Sequence, residues 1–235
     1  MNYQNAILVL LLTFSLDSAF AKGDPIDSRE TDAAIEILTV KKDIEFNYQF
    51  CRGKAGSYGY KYDYLSYIWE LKNKIFLQSS EKMFGNLPAS KANQIRQGWE
   101  ARKVKMLSER KNADGNENGK YCSQYFSRIL DETTDKLRSP KQDLTPKLGS
   151  SEDVRIAQRN IDMEVGCMKQ AYNRDVKEFG FVKKACSCTI SLTLRRMSNQ
   201  EVDEYLTLAS SKSPQDALQF VNKRISNSEL QACYK

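Results

Sequence analysis

Six cysteines constrain the fold of this chain more than any other feature of its sequence. They are Cys51, Cys122, Cys167, Cys186, Cys188 and Cys233, and all of them follow an apolar N-terminal segment. An even number of cysteines in an oxidising compartment predicts three disulfide bonds. Cys186 and Cys188 are two residues apart, and a bond between them would close a strained ring, so each is expected to pair elsewhere.

The simplest pairing joins Cys51 to Cys122 in the first half of the chain. Cys167 and Cys233 then bond the two cysteines of the Cys186-Ser187-Cys188 segment, in an order that the sequence leaves open. A redox-active Cys-x-Cys motif is the alternative, but a reactive thiol needs surroundings that stabilise its thiolate, and the sequence does not show them.

The N-terminal segment is typical of a cleaved secretory signal. The apolar run 6–14 is too short to span a bilayer, which takes about 20 apolar residues. Ala19-Phe20-Ala21 then places small residues at the two positions that signal peptidase recognises, before a charged stretch. We therefore predict that residues 1–21 are a signal peptide, although a buried N-terminal helix of a cytosolic protein would also be apolar.

The remainder of the chain is expected to be periplasmic and soluble, without stable membrane insertion, because no other stretch is apolar enough to cross a bilayer. It also has no Asn-x-Ser/Thr sequon, which fits a bacterial source. Loss of residues 1–21 removes Asp17 and no base, which leaves 36 basic and 29 acidic residues, a net charge of +7. This balance favours acidic partners, and nucleic acid is not expected at an exported address.

Apolar residues recur at helical spacing almost throughout, which predicts an all-α fold. We expect about seven helices in a bundle-like protein of two disulfide-stapled lobes. The N-terminal lobe covers residues 22–138 and the C-terminal lobe residues 152–235. Residues 139–151 contain two prolines and a glycine and are predicted to be a linker or surface loop.

Particular residues predict where helices begin and end. Pro88, Ser150, Ser198 and Pro214 are the expected starts of helices, and Gly85 and Gly180 are expected stops. The segment 186–194 fits a strand or a helix equally well by its spacing. Helix is favoured, because a lone strand would leave its backbone groups unpaired.

The helix predicted after Pro88 has two different faces. Ala92, Ile95, Trp99 and Met106 form its apolar face. The basic residues Lys103, Lys105, Arg110 and Lys111 are interpreted as a solvated face, and so are Arg195 and Arg196 later in the chain.

The chain contains no histidine, which excludes Ser-His-Asp and Cys-His nucleophile systems and histidine metal sites. No catalytic residue is predicted. A glycan hydrolase with two carboxylates remains the enzymatic alternative. Glu70 and Glu81 lie near aromatic residues, but they are more simply solvated charges on helix faces.

The segment 114–119, Asp-Gly-Asn-Glu-Asn-Gly, matches the first six positions of a calcium-binding loop. Position 12 should supply a bidentate glutamate but is Tyr125, so only half a site is present. A turn between two helices explains the composition equally well. No metal and no cofactor is predicted.

Tyrosines are densest between Tyr58 and Tyr67. Tyr58, Tyr60 and Tyr62 are candidate partner-binding residues, because tyrosine is enriched at recognition surfaces and small or charged residues separate these three. The alternative is that several of the rings pack within the first lobe, above all Tyr64 and Tyr67.

The chain has a predicted signal that ends in Ala19-Phe20-Ala21, a helical body, six cysteines that include Cys186-Ser187-Cys188, and no catalytic motif. In these features it resembles periplasmic immunity proteins that neutralise type VI secretion effectors. The resemblance implies a protein partner, a secreted toxin or enzyme, that is inhibited by direct binding. Two alternatives remain, a histidine-free cell-wall glycan hydrolase and a structural or accessory envelope protein without an inhibitory role.

Overall fold

The computed structural model describes residues 28–111, 113–130, 137–210 and 214–235. Within these ranges the regular structure is helical, which confirms the all-α prediction. The predicted signal peptide, residues 1–21, lies outside the described residues and stays a prediction. The α-helices of the described ranges are α1 (Ser28–Lys54), α2 (Gly59–Lys72), α3 (Lys74–Gly85), α4 (Ala89–Arg110), α5 (Gly115–Leu130), α6 (Arg138–Leu144), α7 (Ser151–Asn173), α8 (Phe179–Arg196), α9 (Asn199–Ser210), α10 (Pro214–Asn222) and α11 (Asn227–Ala232).

Helix α1 lies at the centre of the first half of the structure, which consists of α1 to α6, and packs against each of the other five helices. The second half consists of α7 to α11. Helix α1 has 27 residues, which corresponds to about 40 Å at 1.5 Å per residue. Its buried residues Ala34, Ile37 and Ile44 meet Trp69 of α2 and Leu77 of α3 in one core cluster. The other helices of this half are therefore arranged around a single long axis.

Residues 139–151, predicted to be a linker or surface loop, instead contain α6 and a 3₁₀ turn, Thr145–Lys147. Pro140 and Leu144 are buried, and Leu144 belongs to the core cluster around α1. The loop prediction was wrong because Pro140 occupies the first turn of α6, where proline removes no helical hydrogen bond. The segment thus packs on the first half.

The chain forms more helices than the seven or so predicted, partly because the apolar stripe of Tyr64, Ile68, Leu71 and Ile75, which predicts one helix, is divided at Asn73. Asn73 is buried at this boundary, where α2 has ended at Lys72 and α3 begins at Lys74. Its Nδ2 donates to the carbonyl oxygen of Trp69 at 2.8 Å. Near the C-terminus, Ser226 and Glu229 form a capping box that starts the separate helix α11.

The predicted stop at Gly180 was wrong, since Gly180 lies in the first turn of α8. Helix α7 ends at Asn173, and the chain reverses at Asp175, whose φ of 57° is in the left-handed region. Asp is among the few residue types other than glycine that visit this region routinely. The starts expected at Pro88, Ser150 and Ser198 are confirmed, and α10 begins at Pro214.

The two halves share a core cluster. Helix α7 packs against α2 and α8, and the cluster joins Tyr64, Ile68 and Leu71 of α2 to Ile161, Val165 and Met168 of α7. Tyr64 and Met168 are fully buried. Apolar burial is therefore continuous from one half to the other.

Helices α8 to α11 enclose a further cluster, which contains Leu192, Val202 and Ile225. A polar contact connects α7 to α9 beside it. Buried Arg159 donates from Nη1 to the carbonyl oxygen of Asn199 at 3.0 Å and to Oδ1 of Asp203 at 3.1 Å. Its Nη2 donates to Oδ1 of Asn199 at 2.8 Å.

Three disulfides use all six cysteines. Cys51–Cys122 joins α1 to α5, as predicted. In the second half, Cys167–Cys186 joins α7 to α8, and Cys188–Cys233 joins α8 to the residue after α11, which settles the order that the sequence left open. The segment 186–194 is helical, as favoured, and its two cysteines bond to different neighbours.

Candidate protein-binding surface

Of the three candidate tyrosines, Tyr58 alone presents its ring to solvent, with 63% of its surface exposed. It lies in the 3₁₀ turn between α1 and α2. The ammonium group of Lys61 lies 5.7 Å from the centre of its ring. Tyr58 thus remains a candidate contact residue.

Tyr60 and Tyr62 are engaged within the molecule. Tyr60 is buried, and its hydroxyl group donates to Oδ1 of Asp175 at 2.6 Å, a contact between the two halves. This hydrogen bond to a carboxylate, together with burial, raises the pKa of Tyr60 to about 12. Tyr62 packs on Phe126 with ring centres 5.0 Å apart. Both residues therefore fit the alternative interpretation, in which the tyrosine rings pack within the protein.

The candidate calcium segment 114–119 enters a helix instead of a loop. Helix α5 begins at Gly115, and Oδ1 of Asp114 accepts a hydrogen bond from the backbone N–H of Glu117 at 2.8 Å. Asp114 thus caps α5, as acidic residues often do at helix starts. Asn118 is buried, and its Nδ2 donates to the carbonyl oxygen of Ala113 at 3.0 Å.

Glu70 and Glu81, the carboxylates considered for catalysis, both lie near the ammonium group of Lys41. Glu81 accepts from Nζ of Lys41 at 2.7 Å and is an exposed ion-pair partner. A glycosidase acid needs a raised pKa. In the described ranges, the carboxyl groups whose pKa departs clearly from its ordinary value all have a lowered pKa, because hydrogen-bond donors stabilise the ionised form. They are Glu152, Asp175, Glu201, Asp203 and Glu229. The described ranges also contain no group of three or more Cys, Asp or Glu residues placed to hold a metal.

Helix α4 has an inner face that fixes it on its neighbours. The indole N–H of buried Trp99 donates to Oγ1 of Thr39 on α1 at 2.9 Å, and the ring stacks on Phe84 of α3 with centres 5.2 Å apart. Arg102 makes two hydrogen bonds to the carboxylate of Asp43, at 3.1 and 2.6 Å. These contacts attach the middle of α4 to α1 and α3.

The outer face of α4 is apolar at its centre. Val104 is 64% exposed and Leu107 is 43% exposed, and the two residues lie one turn apart. Ala101 and Ser108 beside them are also exposed and small. We refer to Ala101, Val104, Leu107 and Ser108 as the α4 surface. An apolar centre of this kind surrounded by polar side chains has the composition of a protein-binding surface.

Positive charge surrounds the α4 surface. Residues 100–111 contain five basic and two acidic residues. Lys103 lies 5.5 Å from the ring centre of Phe46, and the guanidinium carbon of Arg110 lies 3.7 Å from that of Tyr121, so these cations are directed along the body of the protein. The only ion pair recorded for Lys105 in the described ranges is a 4.0 Å contact with Glu109 of its own helix. Lys103 also lies 3.8 Å from a carboxylate oxygen of Glu100. With five basic and two acidic residues the segment still has a net charge of +3, which favours an acidic partner.

The apolar spacing predicted the inner face of α4 but not its outer face. The basic residues near Lys103 were interpreted as solvated, and Val104 and Leu107 were given no role. The signal was present, since neither residue falls on the stripe of Ala92, Ile95, Trp99 and Met106. Apolar residues off the buried stripe of an amphipathic helix indicate an exposed apolar surface.

In comparisons with protein-family models, with curated proteins and with solved structures, no match to this chain was found. Within the described part of the chain, none of the helices has the length and apolarity needed to cross a membrane.

Proposed function

We propose that this chain is exported to the periplasm and inhibits a secreted antibacterial effector by binding it directly, as an immunity protein does. The apolar run 6–14 and Ala19-Phe20-Ala21 support export. The pairing of all six cysteines supports an oxidising compartment, because disulfides persist there and are rare in the cytosol.

The observation that carries the proposal is the α4 surface on a braced helical body. Val104 and Leu107 are exposed at the centre of a basic helix whose inner face is fixed on α1 and α3. A rigid surface loses little conformational entropy on binding, so more of the contact energy appears as affinity. We infer a partner whose complementary surface is acidic around an apolar centre.

Cell survival provides the test. The gene is deleted and the cells are challenged with kin that deliver the effectors, and survival is compared after complementation. We expect the deletion to lower survival and the wild-type gene to restore it. Unchanged survival of the deletion strain would end the immunity hypothesis.

A double variant, Val104→Glu with Leu107→Glu, tests the α4 surface. Placing two carboxylates at the centre of the interface should weaken binding by about tenfold or more, because they must be desolvated opposite an acidic partner. Leu218→Glu is the matched control, since Leu218 is 59% exposed but lies on α10.

The double variant should fail to protect, and the control should protect as the wild type does. All these positions are exposed, so thermal unfolding should show little change in stability. Full protection by the double variant would place the contact elsewhere on the protein.

A further inference from the structure

A cleft of about 500 Å³ lies between the second half of α8 and α11, on helices that do not form the α4 surface. Its apolar wall consists of Leu192, Ala232 and the Cys188–Cys233 disulfide. Small-molecule and side-chain sites in proteins have volumes of roughly 300–1,000 Å³. The cleft is therefore large enough to receive one or two side chains of a peptide.

Two arginines and one glutamate complete the lining of the cleft. Arg196 donates from Nη2 to Oε1 of Glu229. Glu229 also accepts from the backbone N–H of Ser226 at 3.0 Å and from its hydroxyl group at 2.8 Å. These donors, the backbone N–H first, lower the pKa of Glu229 to about 2, so its charge is present at neutral pH and is already paired.

Arg195 is placed differently. Its side chain is exposed, and Nε donates to the carbonyl oxygen of Ser191, one helical turn back, at 3.3 Å. In the part of the chain that the structure describes, no carboxylate pairs with Arg195. The terminal amino groups of its guanidinium are thus available beside the apolar wall.

We propose that this cleft binds a carboxylate group that neighbours an apolar side chain on a peptide. The planar guanidinium of Arg195 can pair with a carboxylate through two parallel hydrogen bonds. The neighbouring apolar group would cover Leu192, Ala232 and the disulfide, which removes apolar surface from water. The carboxylate can come from the C-terminus of a peptide or from an internal Asp or Glu.

This binding site goes beyond the proposed inhibition through α4 and does not depend on it. The two sites use different helices, and the experiment below needs no effector. A failure here would leave the survival test unaffected, and a failed survival test would leave this site unaffected.

Chemical-shift titration of the purified, ¹⁵N-labelled protein tests the site with three probes. N-acetyl-leucine has a free carboxylate beside an apolar side chain, and N-acetyl-leucinamide is its uncharged counterpart. N-acetyl-glutamyl-leucinamide carries an internal carboxylate instead. The signals observed are Nε–H of Arg195 and the backbone N–H groups of Leu192 and Ala232.

We expect saturable shifts with at least one of the two acids, with a Kd on the order of 1 mM for ligands of this size. N-acetyl-leucinamide should bind at least about tenfold more weakly, because it lacks the charge that pairs with Arg195. Preference for N-acetyl-leucine assigns a peptide C-terminus as the source, and preference for N-acetyl-glutamyl-leucinamide assigns an internal acidic residue. Inorganic phosphate, which has no apolar group, should bind more weakly than the preferred acid.

Arg195→Gln should weaken the preferred acid by about tenfold or more. Lys184→Gln is the matched control, because Lys184 is an exposed cation on α8 and does not line the cleft. Both substitutions are at exposed positions, so the variants should fold as the wild type does. The proposal is overturned if neither acid gives saturable shifts, if the amide binds as well as the acids, or if Arg195→Gln binds as well as the wild type.

Discussion

Arg159 shows how a single side chain can connect helices that are distant in the sequence. Its guanidinium is buried at the contact of α7 with α9 and donates to Asn199 and Asp203. Arg155, one turn earlier on α7, also reaches Asp203, at 3.5 Å, but its side chain is half exposed. The same residue type therefore has two different environments within four residues.

We predict that Arg159→Lys lowers the free energy of unfolding by about 1–2 kcal/mol, since lysine cannot reach Asn199 and Asp203 together. Arg155→Lys, the control, should have no measurable effect, because exposed ion pairs contribute little. Urea unfolding of the two variants and the wild type gives the comparison. Equal effects of the two substitutions would contradict the role assigned to Arg159.

The tyrosine-rich segment shows what sequence alone could not resolve at the residue scale. Tyr58, Tyr60 and Tyr62 alternate with small or charged residues and look equivalent in the sequence. Their neighbours make them different, since Tyr60 bonds to Asp175, 115 positions away, while Tyr62 packs on Phe126. Contacts over such separations leave no periodic pattern that could be read in advance.

At the scale of secondary structure, the sequence predicted helices better than it predicted their ends. Stripes at helical spacing and the capping residues Ser150 and Ser198 were sufficient for α7 and α9. The end of α7 was missed because Asp175 adopts the left-handed conformation there, whereas glycine was expected at position 180. The boundary at Asn73 was missed because the apolar spacing continues across it. The helix in 139–151 was missed because its prolines suggested a loop, while burial of Leu144 on the core favours a helix there.

Two capping carboxylates should make the last helices sensitive to acid. Hydrogen bonds from the backbone N–H of Ser198 and Ser226, and contacts with Arg224 and Arg196, lower the pKa values of Glu201 and Glu229 from 4.5 to about 2. A lowered pKa in the folded state means that the stabilisation is present above pH 4.5 and is lost as the pH falls toward 2.

We therefore expect a double variant, Glu201→Gln with Glu229→Gln, to be less stable than the wild type at pH 7. The difference should shrink as the pH falls from 4.5 toward 2, because the wild-type carboxylates then become protonated. Thermal unfolding, followed by circular dichroism at several pH values in this range, measures the difference in stability. Glu204→Gln, an exposed position on α9, should follow the wild type at every pH, and a constant gap for the double variant would refute the explanation.

For the whole molecule, the shared core of α2 and α7 predicts that the two halves unfold together. Met168→Ala, at a fully buried position in the second half, should lower the free energy of unfolding by about 2–5 kcal/mol. Trp69 and Trp99, the two tryptophans of the chain, are both in the first half.

Met168→Ala should therefore lower the denaturant midpoint measured by tryptophan fluorescence. That midpoint should coincide with the one measured by circular dichroism. If Met168→Ala leaves the fluorescence midpoint unchanged, the two halves unfold independently. The two lobes would then be independent in stability, just as each disulfide joins residues within one lobe.

The disulfide pattern also has a consequence for how the protein matures. Numbered along the chain, the first cysteine bonds to the second, the third to the fourth and the fifth to the sixth. If the chain is exported as proposed, it emerges N-terminus first and offers its thiols to an oxidase in that same order. Oxidation during emergence would then give the native connectivity directly, without a disulfide isomerase to reshuffle mispaired intermediates.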